Sequence, residues 1–457
     1  MATGKMHNIN KLLPPKILYL LECLSSAAIV NFIAVFYQKV GFSKGQIGIL
    51  QGLPPLCCVI GAPLFGALSD ALHAQRKVHN ATIFVGCFAM YALQYITNFY
   101  IMCLAMSFAS LVSCPIGSLL DQAVMAFLSK VGGEYGKQRL YGGIGYGFGA
   151  YFTGQMVSWY NIDVIFPIHV FFALASMLVL PYLPDPDATT TSTLCEAQEP
   201  LNNGNSNEEK VRCLKEVEVR MSCWQQVQCK PDVALLFLVV FFMGLMFGVI
   251  SSFLTLYLFN LSNGDARIVG ISIFCETMSE LPTFFYADKI VRTFGTSTVL
   301  LVSIVGYAMR LSYYSIMKNA WSVLPFELLH GITFSLSWAA CTNHIYRAAA
   351  PGTTGAMMGL LSSIMNGVGK GMGTLVGGIL YSNYGAAFMF QSTLVAVLLS
   401  LVALFFFHQS NSKRMSSESQ EGNGWDATGV LSSTGVHVAS PTGQDETSPL
   451  LQASPMV

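Results

Sequence analysis

Asp121, Arg139, Glu276, Glu280, Arg310, Glu327, His330 and Lys370 are ionisable, yet each stands in an otherwise apolar stretch. Charges in such surroundings are costly, and they face a watery cavity or one another. Asp121 and Arg139 lie 18 residues apart, with Gly132-Gly133 between them to break a helix. If two helices turn there, both side chains stand about 13 Å from the turn, at a rise of 1.5 Å per residue. An acid and a guanidinium at equal depth on adjacent helices can pair, which offsets several kcal/mol of desolvation. Arg139 also fits a plain interfacial cation. Glu276 and Glu280 are four apart, and Glu327 and His330 three apart, so each couple shares a helix face. Such a set can bind and release protons and can grip a polar solute. Desolvation favours a neutral carboxyl, a nearby cation favours the charged one, and imidazole titrates near neutrality in water. No nucleophile–histidine–acid constellation, phosphate loop or metal-ligand spacing occurs, so the reading excludes an enzyme and calls for no cofactor or metal.

The elements that must hold these groups are membrane helices. The chain has 457 residues, of which 53% are hydrophobic and 11% charged, with a mean hydropathy of +0.53. Apolar runs long enough to cross about 30 Å of hydrocarbon recur along it. Twelve spans are expected, near 16–38, 45–69, 78–97, 100–127, 139–159, 164–182, 233–259, 267–287, 296–316, 321–346, 355–381 and 384–408. The expected division is a short N-terminus at 1–15, a six-helix bundle at 16–182, a polar central loop at 183–232, a second bundle at 233–408 and a polar tail at 409–457. Loop and tail are rich in Ser, Thr, Asn, Glu and Gly, a composition that predicts disorder. The twelve cysteines are scattered and read as reduced thiols. A formal net charge of zero gives no attraction to nucleic acid.

Lysine and arginine placement sets the orientation. With the N-terminus in the cytosol, 18 fall on the cytosolic side, four (Lys39, Lys44, Arg267 and Lys318) on the outer side, and Arg310 and Lys370 within the membrane. The bias predicts cytosolic termini and a cytosolic central loop. The sequon Asn80-Ala81-Thr82 then faces the cytosol and is silent, whereas Asn260-Leu261-Ser262 faces outward but hugs a span.

Two repeats point to two similar halves. Gly143-Ile144-Gly145-Tyr146-Gly147-Phe148-Gly149 returns 224 residues later as Gly367-Val368-Gly369-Lys370-Gly371-Met372-Gly373. Glycines four apart let a neighbouring helix come into backbone contact, and paired halves are a common plan among carriers. Pro63-Leu64-Phe65-Gly66-Ala67-Leu68-Ser69-Asp70, then Arg76-Lys77, is echoed by Pro282-Thr283-Phe284-Phe285-Tyr286-Ala287-Asp288, then Arg292.

That loop pattern resembles the signature of the major facilitator superfamily, which implies a cytosolic gate at Asp70, Arg76, Asp288 and Arg292. Within the superfamily the chain is similar to the branch of lactose permease and other oligosaccharide–proton symporters. It also resembles the phenylpropionate permeases and the animal domain-containing protein 6 group. Tyr135-Gly136-Lys137-Gln138-Arg139-Leu140-Tyr141-Gly142-Gly143-Ile144-Gly145-Tyr146 carries the most specific likeness. The resemblance implies an all-α membrane protein with twelve transmembrane helices in two pseudo-symmetric six-helix bundles. It further implies that Asp121 and Arg139 grip substrate hydroxyls while the aromatic at Tyr146, a tryptophan in sugar symporters, stacks on the substrate ring. Thr277-Met278-Ser279-Glu280-Leu281 puts Glu280 where the coupling glutamate lies, and Arg310 and His330 match a span-nine arginine and a span-ten histidine. Departures are Thr333 where lactose permease has a proton-carrying acid, Glu327 where it has a lysine, and Lys370, one turn from the family lysine matched by Asn366.

The expected function is secondary transport of a small polar solute, sugar or nucleoside first, coupled to protons. Asp121, Arg139 and Tyr146 are assigned to the substrate. Glu280, Arg310, Glu327, His330 and Lys370 are assigned to coupling, with Glu280 and His330 carrying the proton, Arg310 tuning them and Glu327 sharing the proton or holding the imidazole. Glu22 either lines the cavity or snorkels to the interface. A non-transporting receptor or scaffold on a carrier fold is the alternative, which has no need of so many buried charges. A monomer is expected, in the plasma membrane or in an endosomal, lysosomal or vacuolar membrane. Glu446, Leu450 and Leu451 form an acidic dileucine pattern that a sorting adaptor can read in an exposed tail. Replacing Leu450 and Leu451 by alanine is expected to move the protein to the cell surface; an unchanged distribution by microscopy removes the motif from the account.

Overall fold

A computed structural model describes residues 12–72, 75–132, 135–183, 227, 230–349 and 354–426. The described chain is nearly all helix. The first path runs as α1 (Leu13–Val30) and α2 (Ile33–Val40). The break has a local cause. The Asn31 side chain donates to the Ala27 carbonyl at 3.0 Å, taking up an acceptor of the helix ladder. Next come α3 (Lys44–Leu72), α4 (Gln75–Ala92) and α5 (Phe99–Ser113). They are followed by α6 (Ile116–Val131), α7 (Tyr135–Trp159) and α8 (Ile165–Val179). Asn98 caps α5 by accepting from the backbone N–H groups of Tyr100 and Ile101. The expected fourth span is therefore two helices, α5 and α6, bent at Cys114-Pro115 because proline cannot donate into the ladder.

The second half opens with α9 (Pro231–Leu261), where proline takes the first helical position. It continues with α10 (Ala266–Phe294) and α11 (Thr296–Ile316). The tenth expected span is broken: α12 (Leu324–Glu327), a π-helical segment Gly331–Leu336, and α13 (Ser337–Ala348). The eleventh carries a second π segment, Ser363–Gly369, between α14 (Thr354–Ser362) and α15 (Lys370–Asp426). Within α15, Gly385 takes φ 86°, a left-handed conformation that lets the chain turn back as a twelfth helix. That helix runs past residue 408, where the sequence reading ended it, to Asp426. Most of the central loop and residues 427–457, with Glu446, Leu450 and Leu451, lie outside the described residues.

Seven helical segments among the described residues are long and apolar enough to cross a membrane. The others are diluted for reasons tied to their work. α7 spends its surface on glycine and tyrosine, and the tenth span on polar side chains turned inward.

In the first half α1 packs on α7 and α8, α3 on α5, and α4 on α5 and α8. In the second, α9 and α11 pack on α15, and α10 on the π segment at 331–336. The halves meet chiefly along α7–α10 and α3–α15.

The glycine ladders explain both kinds of contact. A Cβ on Gly149 would stand 2.8 Å from the Leu24 Cα of α1, and Gly145 likewise faces the Leu20 backbone. Their counterparts Gly369 and Gly373 face the α9 backbone at Phe241 and Leu245. The alternate glycines look the other way. Gly143 and Gly147 approach Leu281 and Thr277 of α10, both at 3.2 Å, and Gly367 and Gly371 approach Val59 and Leu56 of α3. One face of each ladder closes its own half and the other receives the opposite half. Further along, Gly48 meets Gly378 and Gly154 meets Gly270, which brings the two halves backbone to backbone at one end of the molecule. Reciprocal amide bonds between Gln38 and Asn260, at 2.8 and 3.0 Å, join the halves at that same end.

Gly145→Ala is expected to destabilise by about 1–3 kcal/mol, because backbone cannot yield to the added methyl. Gly143→Ala meets a movable leucine side chain, and should fall within about 0.5 kcal/mol of the parent. Thermal unfolding in detergent checks the contrast.

Candidate functional site

In the second half the site is built around Arg310. The side chain has 0% exposure, as has Glu327, and Arg310 Nη2 lies 2.9 Å from Glu327 Oε2. Arg310 Nε donates to Tyr314 Oη at 2.7 Å, and Tyr314 Oη donates in turn to Glu327 Oε1 at 2.5 Å. Tyr314 stands one turn beyond Arg310 on α11, so the helix itself supplies the third member. A buried guanidinium that is both paired and hydrogen-bonded meets the requirement for a charge in low dielectric. Arg310 Nη1 also reaches Thr333 Oγ1 at 3.1 Å. The approach of Thr333 depends on Gly306, whose Cβ would stand 2.7 Å from Thr333 Cγ2.

His330 precedes the π segment and sits between two carboxylates of α10. Its Nδ1 is 2.6 Å from Glu276 Oε1, and its Nε2 is 2.9 Å from Glu280 Oε1. Phe334 stacks on the ring with centroids 5.3 Å apart. Arg310 Nη1 lies 2.9 Å from the same Nδ1. One ring nitrogen cannot donate to Glu276 and accept from Arg310 at once. Two arrangements satisfy the geometry with the same proton count. In one, His330 is an imidazolium donating to both glutamates while Arg310 Nη1 donates to Thr333. In the other, Nδ1 accepts and the proton sits on a carboxyl oxygen. Charge balance agrees. With Lys370 as well as Arg310 charged against Glu276, Glu280 and Glu327, neutrality needs one proton shared by His330 and its acids.

Lys370 begins α15 just beyond the π segment at 363–369 and lies over the Phe247 ring, 5.0 Å from its centroid. No carboxylate within ion-pair distance of it is found among the described residues. Both π segments border this site, as single π turns often do at functional positions.

In the first half Asp121 and Arg139 form an ion pair at 2.6 Å, with side-chain exposures of 13% and 20%. Tyr19 Oη donates to Asp121 Oδ1 at 2.6 Å, and the guanidinium lies over the Tyr19 ring. Tyr146 Oη donates to Asn31 Oδ1 at 3.1 Å, so the break in the first span doubles as an acceptor for the interfacial tyrosine. The Tyr146 ring packs with Ala27, Ala150 and Ile273, the last from the opposite half.

The structure thus brings Asp121 and Arg139 together, and groups Glu280, Arg310, Glu327 and His330, with Lys370 beside them over Phe247. Two details differ from the sequence reading. Arg310 lies against Glu327 rather than Glu280, and Glu327 is joined to Arg310 and Tyr314 while Glu276 and Glu280 hold the imidazole. The reason is register: the broken tenth span turns Glu327 toward α11 and His330 toward α10. The gate residues close within their own halves. Asp288 pairs with Arg292 at 2.9 Å and accepts from Asn343, and Arg76 donates to the Leu183 carbonyl. The Asp70 side chain lies outside the described ones. Tyr19, Asn31 and Tyr314 were missed in sequence because a tyrosine or asparagine in a membrane helix carries no cost signal. The i, i+4 spacing of Arg310 and Tyr314 was the one available hint.

Two pseudo-equivalent halves packed along α7–α10 and α3–α15, each holding buried charges, have the plan of a membrane carrier fold. The MFS_1 like family model matches residues 12–392, and the chain belongs to that family within the major facilitator superfamily. It is 22% identical over 305 residues to major facilitator superfamily domain-containing protein 6-like protein B of Xenopus laevis, covering 65% of this chain and 46% of that one. The chain thus spans about half the length of that relative. It is 24% identical over 394 residues to the maltose permease of Geobacillus stearothermophilus, covering 84% and 92%. Among solved structures it is similar to the nucleoside transporter NupG, with a TM-score of 0.71 and 15% identity over 88% of this chain and 99% of that one.

Glu327→Gln leaves the Arg310 charge buried against an amide and is expected to destabilise by about 3–5 kcal/mol. Asp121→Asn, at a more accessible pair, should lose less. Thermal unfolding of the two variants checks the order.

Proposed function

We propose that this chain is a secondary carrier that moves a small polar solute by alternating access, coupled to a proton. The observation that carries the reading is the His330 cluster: three carboxylates, the Arg310 guanidinium and one imidazole, joined so that a single proton has two addresses, with Lys370 beside them over Phe247. A scaffold gains nothing from such a cluster, since well-packed apolar residues of the same volume are often as stable or more so.

The solute sits between the halves, engaged by Asp121 and Arg139 on one side and approached by Tyr146 from the interface. Arg139 and Asp121 keep part of their surface exposed, as groups that must meet a ligand do. A sugar or nucleoside is the substrate class favoured here. The pair offers both a donor fork and an acceptor to hydroxyl groups, and the similar proteins include one named for maltose and one for nucleosides.

Coupling then follows from charge. With the proton present the cluster is neutral and can be enclosed as the halves rock; without it an uncompensated carboxylate resists leaving water. Lys370, beside the cluster on the cross-half helix α15, completes that balance. The closed end is held by the Gly48–Gly378 and Gly154–Gly270 contacts and by Gln38 with Asn260. Asp70, Arg76, Asp288 and Arg292 serve the opposite end.

Uptake into proteoliposomes, screened over sugars, nucleosides and organic acids with and without an imposed pH gradient, tests the reading. Arg139→Lys keeps the charge and loses the planar fork, so uptake is expected to fall at least tenfold with normal yield. Glu280→Gln should abolish accumulation up a pH gradient yet retain counterflow, because a neutral amide imitates the protonated acid. Normal uptake by Arg139→Lys removes it from the substrate, and accumulation by both Glu280→Gln and His330→Gln overturns the coupling scheme.

A further inference from the structure

Glu22 on α1 and His79 on α4 form a buried acid–histidine contact in the half assigned to the solute. Glu22 Oε1 and His79 Nε2 stand 3.2 Å apart, with side-chain exposures of 8% and 1%. Three observations set it apart from an ordinary structural pair.

The first is alignment. Neither Glu22 Oε1 nor His79 Nε2 has a hydrogen bond of acceptable geometry among the described residues, although the atoms are in contact. A buried polar atom left so is costly and calls for an explanation. The fold can align such a couple where it needs one. His344 Nε2 makes a hydrogen bond to Asp232 Oδ2 at 3.1 Å, and Asp232 sits in the first turn of α9, where the helix N-terminus stabilises a carboxylate.

The second is charge. Asp121 is answered by Arg139, so the buried Glu22 carboxylate stands without a cation, and neutrality there requires one proton on the Glu22–His79 couple. The second half shows the same arithmetic around His330.

The third is the surroundings. From the packed elements, α6 brings Asp121, α7 brings Tyr135 and Arg139, α8 brings His169, and α3 and α5 bring cysteine thiols. Asp121 is engaged by Arg139 and Tyr19, and His169 by the Ser25 hydroxyl and carbonyl. Tyr19 and Cys23 neighbour Glu22 on α1 itself, and Arg76, on the His79 helix, is bound to the Leu183 carbonyl. No other cation stands within ion-pair distance of Glu22 among the described residues.

We propose that Glu22 and His79 form a second proton-binding site, enclosed in this conformation, at which the acid–histidine couple together holds one proton. The carrier therefore holds one exchangeable proton in each half. The site is separate from the His330 cluster, and its test needs no substrate, so its outcome stands apart from the transport reading. Protons bound per chain between pH 9 and pH 5 are counted by titrating purified, substrate-free protein in nanodiscs. Glu22→Gln and His79→Gln are each expected to bind one proton fewer than the parent. The double variant should also bind one fewer, because the two groups share one proton. Unchanged counts in the single variants mean that the contact is only structural and overturn the proposal. A loss of two protons in the double variant means independent sites and overturns the sharing. The single substitutions are separate routes to the same count, so whichever remains monodisperse with native unfolding behaviour decides the matter.

Discussion

A guanidinium with no exposed surface has to be neutralised where it stands, and that need at Arg310 organises the second half of the chain. Glu327 supplies the charge and Tyr314 the bridging hydroxyl, and Gly306 leaves the space through which Thr333 approaches. Meeting those demands fixes the register of α11 against the broken tenth span. With Glu327 committed to Arg310, His330 is left to the two glutamates of α10. The contact of His330 with its two acids is thus a by-product of satisfying a charge that cannot leave.

The second constraint is close approach. Two ladders of alternating glycines each serve two partners, one inside their own half and one across the cleft. The inward faces meet backbone atoms of α1 and α9, which bonds each half into a unit. The outward faces meet mostly side chains, which can slide and separate. Rigid halves with a yielding seam are what rocking requires. The π segments fall in the second half, where the tenth and eleventh spans carry His330 and Lys370 at their edges. An extra residue in a helical turn re-aims the side chains that follow, at a cost accepted beside a working site.

Across the cleft the halves differ in chemistry while sharing a plan. The first half presents an exposed acid–arginine pair and an interfacial tyrosine, suited to hydroxyl-bearing ligands. The second encloses Arg310, Glu327 and His330, while Glu276 and Glu280 keep about as much exposed surface as the first-half pair.

Much of this was legible without coordinates because the membrane makes mistakes expensive. An ionisable residue in an apolar run must have a reason, so Asp121, Arg139, Glu280, Arg310, Glu327, His330 and Lys370 could be picked out by type and surroundings. Helical periodicity placed Glu276 with Glu280 on a common face, and a hairpin near Gly132 sufficed to pair Asp121 with Arg139, whereas the break in the tenth span turns Glu327 and His330 to different partners. The internal repeat announced two halves. Tertiary structure decided which charge answered which. Arg310 took Glu327 and left Glu280 to His330, since partner choice depends on the rotation of a broken helix that no local period records. It also recruited Tyr19, Asn31 and Tyr314, polar groups too cheap to bury to stand out in a sequence. The two-faced use of each glycine ladder was likewise settled in three dimensions. Spacing of four says that a backbone can come close, and only packing says whose.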